Sequence, residues 1–167
     1  MKVFHHVIVT IFAAVTLVAQ QPAPASATPA FHTLKELLDL VPEGVSLRQT
    51  RQSNAASLQP ANVPLKSGTV GRYATLNVRV DGIGKTLPTS YEQGFIVHAS
   101  DTRLTHNGSS VTVHLYLYFQ ESTATSVAAM KKGTQLSVTG SIARAELTSA
   151  NRDVFFNVDL IHCEVAK

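Results

Sequence analysis

Nine residues, VTVHLYLYF (111–119), alternate between apolar and polar without a break. Val111, Val113, Leu115, Leu117 and Phe119 form one set; Thr112, His114, Tyr116 and Tyr118 form the other. Successive side chains of a strand point to opposite faces, so this stretch belongs in a sheet with one side in a core and the other outside. The pattern recurs upstream. ATLNVRVDGIG (74–84) sets Ala74, Leu76, Val78 and Val80 against Thr75, Asn77, Arg79 and Asp81, and stops at two glycines. GFIVHAS (94–100) reads as a second strand, and Asn107-Gly108 after it suits the positive φ angles of a type I′ hairpin turn.

Downstream, AAMKKGTQLSVTGSI (128–142) turns from helix to strand in its middle. The spacing predicts a helix from Ser122 to Lys132, with Ser122 or Thr123 as N-cap and Val127 and Met130 toward the core. Lys131 and Lys132 oppose the negative end of the helix dipole, and Gly133 suits the left-handed position that closes it. A fourth strand follows, from Gln135 to about Leu147. A turn at Ser149-Ala150-Asn151 leads to a fifth, VFFNVDLIHCEV (154–165). Its inward set changes from Phe156, Val158 and Leu160 to Ile161, Cys163 and Val165, which predicts a one-residue bulge near Leu160.

The N-terminal region is of another kind. Lys2 is followed by an unbroken apolar or small-residue run from Val7 to Ala19, and Ala25-Ser26-Ala27 fits a small-x-small cleavage site. That run is thirteen residues, short of the roughly 20 a membrane-spanning helix needs. It reads as a secretory signal over 1–27, cleaved near Ala27, with an uncleaved anchor as the alternative. The mature chain is then secreted or periplasmic, with no membrane span. Residues 28–68 hold a short helix and a polar link. TLKELLDLV (33–41) places Leu34, Leu37, Leu38 and Val41 at helical spacing behind a Thr33/Glu36 capping box, and Pro42 and Gly44 end it. This helix packs on the main domain or docks a partner. Residues 48–68 are polar and turn-rich, a linker or long surface loop. The main domain is 69–167.

Charge and cysteine narrow the function classes. The 14 basic residues become 13 without Lys2, against 11 acidic ones, a balance of about +2 in the mature chain. That is too weak to imply a polyanionic partner. Cys163 is the single cysteine, which excludes an internal disulfide and a thiolate metal cluster. Its place in an alternating strand predicts a buried, inert thiol rather than an exposed one that would cross-link two chains.

Strand, strand, strand, helix, strand, strand is the layout of a five-stranded Greek-key OB-fold barrel, all-β with one short helix between strands three and four. Three stretches, VRVDGIGKTLPTSYEQGFIVHAS, YFQESTATSVAAMKKGTQLSVTGSI and VDLIHCEV, resemble the exported bacterial OB-fold proteins grouped as tRNA-anticodon-binding-like. The matching positions are Val80, Gly82, Ile83 and Lys85; Phe119; Met130, Lys132, Gly133, Leu136, Val138 and Gly140; and Cys163. The likeness covers roughly 73–166 and departs in a longer polar link over Ala143 to Asp153. It implies the barrel fold.

Candidate chemistry is sparse. GIGKT (82–86) has Arg79 where a phosphate-binding loop needs its first glycine, and Leu87-Pro88 where a helix should begin, so it reads as a glycine turn between strands. His98, His114 and His162 would make an open metal site if neighbouring strands brought them together, and with it a metal-assisted hydrolase. No paired spacing ties any two of them, and register decides whether His98 and His114 share a face. Asp153, Asp159 and Glu164 are available for acid–base work, without a hydrolase motif around them. The strongest surface is the polar-aromatic side of the third strand, His114, Tyr116 and Tyr118, with Arg79 from the first. OB-folds bind oligonucleotides or oligosaccharides over strands two and three, and tyrosines offer flat faces to a base or a sugar. Alternating tyrosines also suit a plain solvent-facing strand, where they stabilise cross-strand pairs.

The sequence thus points to an exported, non-catalytic OB-fold binding module without a cofactor or resident metal. Its partner is an envelope protein, a glycan or an oligonucleotide, with single-stranded nucleic-acid binding as the alternative.

Overall fold

The computed structural model describes residues 29–48, 55–99 and 103–166. The leader expected over 1–27 lies outside them, as do residues 49–54 near the start of the expected linker and the end of the expected second strand. In chain order come helix α1 (Leu34–Leu38), a 3₁₀ turn (Ala55–Leu58) and helix α2 (Gln59–Thr69). Strands β1 (Tyr73–Arg79), β2 (Gly82–Lys85), β3 (Gly94–His98), β4 (Arg103–His106) and β5 (Ser109–Gln120) follow. A second 3₁₀ turn and α3 (Ala124–Ala128) lead to β6 (Gln135–Ala150) and β7 (Asp153–Val165). The protein is mostly β. Its strands form one sheet in the order β1-β6-β7-β5-β3-β2, with β4 paired to the start of β5, and β1 and β2 at the two ends of that order. Among the described strands only β5 and β7 pair in parallel.

The alternation in β5 holds at every position. Val111, Val113, Leu115, Leu117 and Phe119 are buried, and Thr112, His114, Tyr116 and Tyr118 are half-exposed. Ala74, Leu76 and Val78 in β1, and Val80 just after it, are buried as expected. Asn107 and Gly108 both have positive φ and close the β4–β5 hairpin, and Gly133 takes the left-handed conformation after α3. The α3 helix is shorter than its pattern suggested, but Val127 is buried and Met130 packs on the core.

Other details differ. The expected first strand, 74–84, is two strands separated by Val80 and Asp81. The turn expected at Ser149-Ala150-Asn151 falls instead at Asn151-Arg152, both with positive φ, and β6 runs to Ala150. The expected polar link after Ala143 is therefore paired strand. The inward set of β7 does switch, but two residues later than Leu160. His162 has φ +53 and the β6–β7 register slips between Thr139 and Ser141, which turns Cys163 inward while Ile161 stays half-buried and Val165 exposed. Gly140 makes room for this: a Cβ there would lie 3.0 Å from Cys163 Sγ and 3.1 Å from the Ile161 carbonyl oxygen. Burial raises the Cys163 thiol well above the usual range, so it is inert, as its strand position implied.

The polar link expected over 48–68 contains α2, and the physical reason it was hidden is local. Pro60, Pro64, Asn62 and Gly68 are poor helix formers. Tertiary packing overrides them: Leu58, Ala61 and Leu65 are fully buried in the same core as the strands. The Asn62 side chain donates to the Leu147 carbonyl at 2.9 Å and accepts from the Leu147 N–H at 2.7 Å, satisfying the edge of β6 beyond its pairing with β1. The α1 segment is equally built in. Thr33 accepts from the Glu36 N–H at 3.1 Å, and the Glu36 carboxylate accepts from the His32 N–H at 2.7 Å, one residue ahead of a standard capping box. Leu37, Leu38, Val41 and Leu47 are buried, and the Phe31 carbonyl accepts from the Thr75 N–H at 2.9 Å beside β1.

If the helices share the core with the strands, Leu65→Ala in α2 and Leu117→Ala in β5 will each cost about 2–5 kcal/mol in urea unfolding. A Leu65→Ala cost within about 0.5 kcal/mol of zero, typical of a surface change, would remove α2 from the core.

Candidate functional site

Strand register gathers the polar side of the sheet into rows. His98 on β3 lies opposite Tyr116 on β5, Tyr116 opposite Asp159 on β7, and Asp159 opposite Arg144 on β6. A second row runs from His114 through Asn157 to Glu146. Tyr118 is opposite Ile96. Arg144 reaches Asp159 only because β6 slips by one residue between Ile142 and Arg144, a bulge at Ala143.

Asp159 is the centre of the face. It is 1% exposed. The Arg144 Nη2 donates to its Oδ1 at 3.0 Å, and Nε sits 2.9 Å from Oδ2 as a close ionic contact whose N–H is not aligned for a hydrogen bond. Arg144 Nη1 also donates to Glu146 Oε1 at 3.2 Å. Burial works against the Arg144 charge, but the hydrogen bond and attraction from Asp159 more than restore it, and its pKa rises. Tyr91, in the loop between β2 and β3, lies near enough to feel the Asp159 charge, and its ring stands edge-on to Tyr118 with centroids 5.3 Å apart. Burial, and then the Asp159 charge, raise the phenols of Tyr91 and Tyr118 above their ordinary value.

Glu92, the next residue of that loop, holds the other side. Its side chain is buried, Oε1 accepts from the His162 N–H at 3.0 Å, and it pairs with the His162 ring. The left-handed backbone at His162 that turns Cys163 inward also frees this N–H for Glu92. The loop is thus tied to β7 through Glu92 and His162, and Leu87 and Tyr91 remain exposed on it.

Of the four residues singled out from the sequence, the structure brings His114, Tyr116 and Tyr118 onto this face. Arg79 is elsewhere. It lies opposite Gln135 and lines a separate cleft of about 350 Å³ with Leu34, Asn77, Ala99 and Leu115. Of the three histidines considered as metal ligands, His98 and His114 share the face as diagonal neighbours. Each is engaged by a ring: His98 stands edge-on to Tyr116 at 4.8 Å, and His114 lies 5.0 Å from Phe155. His162 is bound up with Glu92. Among the described residues no group of three or more His, Cys, Asp or Glu side chains is placed to hold a metal ion. Sequence reading named Asp159 only as one of several carboxylates and missed Arg144, Glu146 and Tyr91. Its one usable signal was a charged residue inside the apolar run of β7.

No model of a known protein family matches the chain, and no curated protein sequence matches it.

Removing Asp159 leaves Arg144 partly buried without its main partner. Asp159→Ala will cost about 1–3 kcal/mol in urea unfolding, because Arg144 retains some solvent. The raised phenols fix a pH effect. Unfolded tyrosines titrate near 10, so the folded chain keeps protons that the unfolded chain gives up. The stability linked to them is complete below about pH 10 and is lost as pH rises through the folded values. A spectrophotometric tyrosine titration of the folded protein will show late-ionising phenols, and Asp159→Asn will bring them down.

Proposed function

We propose that this chain is an exported, non-catalytic binding module of the OB type, with its ligand on the outer face of β3, β5, β7 and β6. The row His98–Tyr116–Asp159–Arg144 carries the reading, since it joins aromatic rings to a fixed carboxylate–guanidinium pair across four neighbouring strands. Support for the barrel comes from the join of β1 to β2. The Val80 N–H donates to Thr134 and its carbonyl accepts from Gly133, on the β6 side. The next N–H, of Asp81, donates to His98 on β3. Taken as one bent strand, β1/β2 would join the two ends of the order into a ring of five, with β4 outside it and α3 in the chain between β5 and β6. The resemblance to exported tRNA-anticodon-binding-like proteins agrees with this barrel, and two of its positions, Gly140 and Cys163, touch. The leader ending near Ala27 delivers the domain to the periplasm or the exterior.

The Asp159 carboxylate is paired with Arg144, and the neighbouring phenols of Tyr91 and Tyr118 offer neutral hydrogen-bonding groups, a set that suits recognition. The central guanidinium of the face, Arg144, is already paired with Asp159 and Glu146 and so is poorly placed to neutralise phosphates, on which binding of a phosphate backbone rests. A glycan or a protein loop of the cell envelope suits the face.

The test is fluorescence anisotropy of the chain from Thr28 with labelled oligo-dT at low and moderate salt. Weak binding without a steep salt dependence is expected. Tight binding that weakens steeply with salt, and is lost in Tyr116→Ala/Tyr118→Ala, would make the ligand a nucleic acid on this face. Tight binding that survives both alanines would move the site off the face.

A further inference from the structure

The GIGK stretch of β2 extends the row by one strand. Gly82 lies opposite His98 and Gly84 opposite Ile96, so both glycines stand on the outer side. Ile83 between them is opposite buried Val97 and packs on the core. The row therefore crosses five strands, Gly82–His98–Tyr116–Asp159–Arg144, and its first member has no side chain. Backbone conformation does not demand glycine there, since neither residue has a positive φ. Space does not demand it either. A Cβ at Gly82 would meet nothing within 4 Å, and one at Gly84 only Ile96 Cγ2, at 3.6 Å. Glycine weakens a strand, and inside one it often marks a place where another molecule approaches the backbone closely. Here two of them leave a bare shelf of backbone beside His98.

We propose that this shelf is the floor of a subsite for a neutral oligosaccharide. The sugar chain lies across β2 and β3 with its rings against Tyr116 and Tyr118, and ends at Arg144 and Glu146. The inference rests on the reading of this face as a binding surface. Three features select the ligand class. A pyranose ring is flat with an apolar C–H side, which suits a tyrosine face and a floor without side chains. Its hydroxyls, once desolvated, need both donors and acceptors. The Glu146 carboxylate, the Arg144 guanidinium and the amide of Asn157, which donates to Thr148, supply both kinds along one edge. Arg144, already paired with Asp159 and Glu146, has little charge to offer a phosphorylated chain, whereas a neutral sugar needs only hydrogen bonds.

The chain has four tyrosines and no tryptophan. Tyr91, Tyr116 and Tyr118 are all on this face, so tyrosine emission reports on it directly. The experiment titrates the chain from Thr28 with cellotetraose and with chitotetraose to millimolar concentration, following that emission. A saturable change with at least one probe, insensitive to salt, is expected. Gly82→Val should weaken binding at least about tenfold without lowering Tm, because valine favours a strand and meets open space. Gly84→Ala is the second, milder obstruction. Saccharide binding that survives both variants but is lost in Tyr116→Ala/Tyr118→Ala overturns the glycine shelf and leaves the face standing. Binding that survives all four changes overturns the face as well. No response to either sugar, with oligo-dT bound instead, overturns the saccharide and keeps the face only if the tyrosine variant releases the oligonucleotide.

Discussion

Parallel pairing of β5 with β7 is the constraint on which the rest of the structure hangs. From Val111↔Val154 to Leu117↔Leu160 the two strands run in step, so their buried residues fall in matching layers and their outward residues do too. Phe119 and Phe156, among the largest fully buried side chains, come from this pair. Parallel neighbours cannot be joined by a tight turn. The chain between Gln120 and Asp153 supplies the crossover as α3 and the long strand β6, which returns antiparallel to β7 through Asn151-Arg152. The remaining strands attach to this frame, β1 beside β6 and β3 beside β5.

The same pairing makes Asp159 possible. A carboxylate in the middle of a paired strand is costly to bury unless it is matched. Register sets Tyr116 on one side of it and a bulge brings Arg144 to the other, while Tyr91 stands against Tyr118 nearby. The arrangement is held from two directions, because Glu92 ties the Tyr91 loop to His162. Rigid side chains on paired strands give a face whose polar groups are already oriented, which is what a recognition surface requires.

The N-terminal helices show how propensity yields to packing. α1 is legible because Thr33 and Glu36 cap it and its leucines repeat at helical spacing. α2 is not, since its prolines, asparagine and glycine all argue for a loop. It exists because Leu58, Ala61 and Leu65 fill the core beside β6 and Asn62 completes the hydrogen bonds of that strand's edge. No local pattern of polar residues announces a partner in a strand so much further along the chain.

Sequence alone determined which side chains of β1 and β5 face in and which face out, the hairpin at Asn107-Gly108 and the stop at Gly133. These follow from the two-residue period of a strand and from local φ preferences, which nearby residues settle among themselves. Tertiary structure alone decided that Tyr116 meets Asp159, that Arg144 joins them while Arg79 sits by Gln135, and that Gly82 and Gly84 open beside His98. Those are matters of register and bulges, set by pairing between distant segments. A slip of one residue would carry each of these side chains to the opposite face, and the alternation in the sequence would read the same.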